Sequence, residues 1–279
     1  MPLSIPPRPT GVPLTTDPGP DYMALPTEMP VFSAPELPDD PARRTRCREW
    51  LRRIGATLDA CAAGKAVTPI DLAEATEEDR IILDEILLEG EVKALVLGEP
   101  EWQIEETAYT GLWRVRARDQ RTGLLLDRLE VAPIPPIVAD RAREAGARIG
   151  LPAQEAIPEG VINAPHVFAE LAARSAAFVE SGAAHVVNLG LLPLSDEDLT
   201  WLAQSLGEGP SIILSGGYGS CRIRSTRLAG TWWVQYYNAT DTLILNTLEV
   251  AVVPAVACAA ADDIADSAAR IRAMEDAYP

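Results

Sequence analysis

The 279-residue chain carries 41 acidic side chains against 24 Lys and Arg, a formal net charge of -17, which excludes nucleic acid and anionic membrane surfaces as principal partners, since both are held by clustered basic groups. Its four cysteines (Cys47, Cys61, Cys221 and Cys258) form no C-x-x-C and lie far from His166 and His185, so no zinc or iron–sulfur ligand spacing is present. With no 18-residue apolar run and no secretory signal pattern, the sequence predicts a soluble, cytoplasmic protein with reduced thiols and no membrane insertion.

Residues 1–41 hold half of the 24 prolines and cannot sustain a helix or a central strand, which predicts a disordered or extended tail. Asp40-Pro41 then opens a helix reaching about Ala62, ended by Gly64. Its Arg43, Arg44, Arg46, Arg48, Arg52 and Arg53 read as a solvated basic face. Thr76-Glu77-Glu78-Asp79 is an N-cap hydroxyl followed by first-turn acids, opening a short amphipathic helix that should stop at Gly90. Four β-rich runs follow, about Glu91–Leu97, Glu101–Ala108, Gly111–Arg118 and Gly123–Val131, with connectors suited to an antiparallel meander. Pro135 ends them, and another helix follows.

The same series then recurs. Shifting the sequence by 119 positions lays Thr76–Ala142 on Ser195–Ala261 without an insertion, with identities at Glu78/Glu197, Leu83/Leu202, Gly90/Gly209, Thr107/Thr226, Gly111/Gly230 and Trp113/Trp232. Leu129-Glu130-Val131-Ala132 falls on Leu248-Glu249-Val250-Ala251. Pro165–Gly182 answers to the first helix, Ser195-Asp196-Glu197-Asp198 to the second cap, and Pro210–Ser215, Ser220–Arg227, Gly230–Asn238 and Thr242–Val252 to the strands, before a last helix at about Ala261–Ala277. The expected fold is α+β, two tandem copies of a helix, helix, four-stranded antiparallel sheet, helix unit with helices on one sheet face. The expected division is a tail over 1–41, copy one over 42–147, a linker over 148–164 and copy two over 165–279.

A position kept for packing should look alike in both copies, so differences mark candidate sites. Alternation sends Trp113, Val115 and Ala117 to one face and Arg114, Arg116 and Arg118 to the other, a half-buried strand. In copy two the arginine positions become Trp233, Gln235 and Tyr237, an aromatic face that either meets a partner or packs against the other copy or the tail. Gln103, Glu105 and Ala108 become Arg222, Arg224 and Arg227, and the preceding turn becomes Gly216-Gly217-Tyr218-Gly219-Ser220-Cys221. That turn is a hairpin, or a place of close backbone approach; it lacks the context of a phosphate-binding loop. The candidate partner-binding set is therefore Gly217, Tyr218, Gly219, Cys221, Arg222, Arg224, Trp233, Gln235 and Tyr237. Cys221 lacks an identifiable histidine base. Paired acids such as Glu105-Glu106 and Asp262-Asp263 read as a solvated strand and a helix start, so neither a catalytic residue, a metal ligand set nor a cofactor is expected.

Gly217-Tyr218-Gly219-Ser220-Cys221-Arg222-Ile223, Trp232-Trp233-Val234-Gln235-Tyr236-Tyr237-Asn238 and Asp241-Thr242-Leu243-Ile244-Leu245-Asn246-Thr247-Leu248-Glu249-Val250 together resemble the HupH/HyaF/HoxQ family. The likeness continues through His185-Val186-Val187-Asn188-Leu189 and Pro254-Ala255-Val256 and, more thinly, Gly111-Leu112-Trp113-Arg114-Val115; it departs at Gly216, where many relatives carry arginine. The family comprises accessory proteins for maturation of uptake [NiFe] hydrogenases. The resemblance implies a non-enzymatic chaperone that holds the immature iron–sulfur small subunit, with its twin-arginine signal, in the cytoplasm until assembly and Tat export. An adaptor between other maturation factors and a thiol-dependent metallochaperone using Cys221 are the alternative readings.

Overall fold

The computed structural model describes residues 40–73, 75–147, 157–216 and 219–277, so all but the end of the proline-rich tail and most of the expected linker lie outside the described residues. α1 (Pro41–Ala62) starts where Asp40 accepts the Ala42 amide and Pro41 needs no donor partner. It buries Cys47, Trp50, Leu51, Ile54 and Leu58 at helical spacing. β1 (Ile70–Asp71), α2 (Glu77–Leu87), β2 (Val92–Val96), β3 (Glu101–Glu106), β4 (Leu112–Asp119), β5 (Gly123–Val131) and α3 (Pro136–Ala145) follow. The second series is α4 (Ala164–Ser181), β6 (His185–Asn188), α5 (Asp196–Leu206), β7 (Ser211–Ser215), β8 (Ser220–Ser225), β9 (Thr231–Tyr237), β10 (Leu243–Val250) and α6 (Ala261–Ala277). Both predicted N-caps are present, and each closes into a capping box: Thr76 accepts the Asp79 amide and Ser195 the Asp198 amide, with each aspartate accepting the cap residue's own amide in return.

The chain is α+β, but the strands do not form two four-stranded sheets. They join in one ten-stranded antiparallel sheet, ordered β1-β5-β4-β3-β2-β7-β8-β9-β10-β6. β2 and β7 meet at its centre with Ala94 opposite Ile213, residues that are also 119 positions apart, so the order reads alike outward in both directions. Pairing across the centre satisfies what would otherwise be two exposed edges. β1 and β6 extend the ends; at two and four residues they are too short to show a period in the sequence.

Two helix placements depart from expectation. α6 crosses to the first half, where Ile264, Ala268, Ile271 and Met274 join Leu51, Ile54 and Leu58 of α1 in one core. α3 lies on the other sheet face, with Val138 and Ala142 packed among Val115, Ile213, Ile223 and Val234. The remaining helices share one face, α1, α2 and α6 over one end and α4 and α5 over the other. Both faces are therefore covered. Trp113 and Trp232 are wholly buried on the α3 face, and their indole N–H groups donate to the carbonyls of Ala132 (2.9 Å) and Ala251 (3.1 Å).

Gly90 and Gly209 do not end the helices, which stop at Leu87 and Leu206. They sit where backbone passes close: a Cβ on Gly90 would lie 2.3 Å from the Thr107 carbonyl oxygen, and one on Gly209 2.4 Å from Ser225 Oγ.

Candidate functional site

Register places the candidate residues on two faces. One row crosses the main helix-bearing face as Leu129, Arg114, Glu105, Lys93, Leu214, Arg222, Gln235 and Asn246. The adjacent row runs Asp127, Arg116, Gln103, Leu95, Ile212, Arg224, Trp233 and Leu248. Cys221 points to the opposite face, toward Tyr236.

Arg222 is exposed at the rim, its guanidinium 4.6 Å from the Tyr237 ring centroid and 3.8 Å from Asp241. An exposed stack of this kind contributes about 0.5–1 kcal/mol and leaves the guanidinium free to meet a further acceptor. Arg224 pairs with Glu208 at 2.9 Å, and Gly219, half-buried, lies against the Tyr237 backbone. Trp233 and Gln235 are not part of an exposed aromatic face. Trp233 packs against the core beneath α4 and α5 and donates to Asn246 Oδ1 at 2.6 Å, while Gln235 is buried. Gly217 and Tyr218 lie outside the described residues.

Copy one explains why the alternation misled. Arg114, the counterpart of Trp233, is buried beneath α2 and not turned to solvent. It donates to Asp127 through Nη2 at 2.6 Å, and Arg80 and Arg116 also approach that carboxylate. Burial alone would raise Asp127, but the Arg114 hydrogen bond and the charges of Arg114, Arg116 and Arg80 outweigh it and hold the carboxyl below its usual range. The same covered position thus holds an arginine paired to Asp127 in one half and a tryptophan bonded to Asn246 in the other.

Cys221 is buried, and loss of solvation pushes its thiol up to about 11, so it is not a ready nucleophile or metal ligand at neutral pH. Among the described residues no group of three or more His, Cys, Asp or Glu is placed to hold a metal ion. No described helix is long and apolar enough to cross a membrane.

A feature absent from the sequence reading is a cavity of about 560 Å³ between the Leu88–Val92 segment, the end of β3 and the segment leading into α6. Glu106 lines it and is only 8 % exposed. Desolvation, the Gly111 amide notwithstanding, lifts Glu106 from 4.5 to about 7, and the charges of Glu91 and Asp263 act in the same direction.

A family model for the HupH hydrogenase expression protein C-terminal conserved region matches residues 47–148 and 161–278. The chain belongs to the HupH family. It is 43 % identical over 258 residues to the hydrogenase expression/formation protein HupH of Rhodobacter capsulatus, covering 92 % of this chain and 90 % of that relative. HoxQ of Cupriavidus necator, also a hydrogenase expression/formation protein, is 38 % identical over 90 % of this chain and 89 % of its own length. The hydrogenase-1 operon protein HyaF of Escherichia coli is 33 % identical over 74 % of this chain and 71 % of its own. A solved structure of the hydrogenase expression protein HupH from Thiobacillus denitrificans is 31 % identical, covers 41 % of this chain and 96 % of that one, and superposes with a TM-score of 0.39. These relatives are named for expression and formation, not for a catalysed reaction.

In this HupH-family chain the structure brings Arg222, Arg224, Tyr237 and Gly219 to an accessible rim, leaves Trp233 and Gln235 in the packed layer, and turns Cys221 away. Glu106 was legible in principle: its counterpart under the 119-residue shift is Ser225, a small side chain at an interior position.

Proposed function

We propose that the protein is a non-enzymatic hydrogenase maturation factor, a dedicated cytoplasmic chaperone for the immature iron–sulfur small subunit of a [NiFe] uptake hydrogenase before assembly and Tat export. The observation that carries this reading is kinship along 92 % of the chain to a hydrogenase expression/formation protein. The contact surface is the copy-two rim of Arg222, Tyr237 and Arg224, an exposed stacked guanidinium beside a second arginine where copy one has Gln103, Arg118 and Glu105. Stacked Arg–aromatic pairs supply large contact area at low ordering cost, which suits a surface that engages another polypeptide. The anionic body favours a basic signal segment through attraction that acts within a Debye length of about 8 Å. The buried, proton-retaining thiol of Cys221 counts against the thiol-dependent metallochaperone reading.

The test is affinity capture of the tagged protein from hydrogenase-expressing cells under low oxygen, with partners identified by mass spectrometry. Recovery of the small subunit still bearing its signal peptide, lost in the Arg222→Ala/Tyr237→Ala double variant, supports the reading. Recovery of large-subunit or other accessory proteins alone overturns it in favour of an adaptor.

A further inference from the structure

The cavity beside Glu106 lies apart from the rim and has its own chemistry. The charged groups lining it with Glu106 are Glu89, Glu91, Asp263 and Arg270, and an adjoining recess that Glu106 also borders adds Asp84, Glu105, Arg114 and Arg116. Glu89 is neutralised by Lys93 at 2.9 Å. Arg270 donates to the Ala108 carbonyl at 3.2 Å and stacks 4.8 Å from the Tyr109 ring. Among the described residues, no Arg or Lys nitrogen comes within ion-pair distance of Glu91, Glu106 or Asp263. Glu106 accepts the Gly111 amide on Oε1 at 3.0 Å; its Oε2 takes no hydrogen bond from the described residues and belongs to a side chain lining the cavity.

Packing does not require this carboxyl. In the other half Ser225 fills the equivalent position and is satisfied locally, accepting the Ser211 amide at 3.0 Å and donating to the Ser211 carbonyl at 3.2 Å. Burying a carboxylate without a counter-charge is costly, and a site that keeps one beside open volume is suited to a ligand that brings the missing charge. Cys258 adds no charge, since burial raises its thiol. The volume falls within the range of about 300–1,000 Å³ usual for pockets that enclose small ligands or side chains.

We propose that this cavity binds an alkyl cation, a guanidinium or primary ammonium group on a short aliphatic chain, with Glu106 Oε2 as its principal acceptor and Glu91 and Asp263 completing the negative field. A basic side chain of a bound polypeptide and a free polyamine-like amine both carry this chemistry. The cavity and its test do not depend on which protein the chain chaperones.

The experiment is a two-dimensional amide NMR titration of the purified full chain with two probes, acetyl-Ala-Arg-Ala-amide and agmatine, beside the neutral citrulline peptide. The expected result is saturable shifts at the Gly90, Thr107 and Ala259 amides with at least one cationic probe at pH 8, weakened by up to about tenfold at pH 6 as Glu106 takes up its proton. Glu106→Gln should also weaken binding at least tenfold at pH 8 while its spectrum stays that of the folded protein, because a glutamine carbonyl still accepts the Gly111 amide. The tighter of the two probes identifies the source, a peptide or a free amine. No saturable binding of either, equal binding by Glu106→Gln, or equal binding of the citrulline peptide overturns the proposal. Loss of small-subunit capture with cation binding intact would instead implicate the chaperone reading alone.

Discussion

Replacing Glu106 by glutamine should make the protein more stable at alkaline pH, although it deletes a charge and adds no contact. The carboxyl titrates at about 7 in the fold against an ordinary 4.5, so the native state holds this proton more tightly than the unfolded chain does. Below 4.5 the group is neutral in both states and carries no penalty; as pH rises through about 7 the folded protein must ionise it inside the cavity, and that stability is lost. At about 1.4 kcal/mol per pH unit, the interval from 4.5 to about 7 corresponds to about 3 kcal/mol. Glutamine keeps the acceptor for Gly111 and removes the ionisation. Urea unfolding of both proteins at pH 5 and pH 8, without added amines, should therefore show a variant ahead by about 1 kcal/mol at pH 5 and by about 3 kcal/mol at pH 8. The carboxylates held low by hydrogen bonds and arginines, such as Asp127 and Asp198, lose their contribution only as pH falls below the usual Asp range, outside this window. A difference unchanged between the two pH values, or a wild-type protein that is the more stable at pH 8, would refute the reasoning.

Asp127→Asn should destabilise by about 3 kcal/mol in denaturant unfolding, because it leaves Arg114 buried with most of its counter-charge gone. Asp198→Ala should cost about 2 kcal/mol and raise amide hydrogen exchange at two helix starts together. One Asp198 oxygen accepts the amides of Ile162, Asn163 and Ala164, each at 2.9 Å, while the other closes the capping box of α5. These bonds outweigh burial and hold Asp198 below its usual range, so that part of the stability disappears as pH falls through its lowered pKa. Gly90→Ala should cost about 3 kcal/mol by thermal unfolding, since the new methyl meets the Thr107 carbonyl oxygen just past the end of β3, where backbone is held by the Thr107 amide bond to the Leu112 carbonyl. A variant as stable as the parent would show that the loop can move aside.

What the sequence revealed was whatever depends on near neighbours. Thr76 and Ser195 read as caps because capping is a contact between residues three apart, and the four strands of each half, β2–β5 and β7–β10, read correctly because their short turns are local, whereas the two-residue β1 and four-residue β6 did not. The pairing of β2 with β7 is not local, and neither is the crossing of α6, so two separate sheets looked as sound as one. The arginines of β4 show how periodicity can mislead. Alternation correctly separated Trp113 from Arg114, but hydropathy cannot tell an arginine in water from one covered by a helix and paired with Asp127 thirteen residues away. The aromatic residues of β9 therefore suggested an open face, whereas Trp233 continues the packed layer and, of its aromatic pair on that face, Tyr237 alone reaches the rim, where Arg222 stacks on it. Glu106 was overlooked for the opposite reason: in an acidic chain one more glutamate on a strand looks solvated, and its one mark in the sequence, the Ser225 counterpart, gains its meaning from the cavity walls.

The crossing of α6 bears on how the protein is made. Leu51, Ile54 and Leu58 of α1 leave the ribosome some two hundred residues before Ile264, Ala268, Ile271 and Met274, with which they share a core. During synthesis the amino-terminal half can form its local turns and capped helices, but the side of α1 that α6 covers stays open until α6 has emerged, so this core closes late. A protein with this architecture therefore carries exposed apolar surface on the ribosome until α6 has emerged.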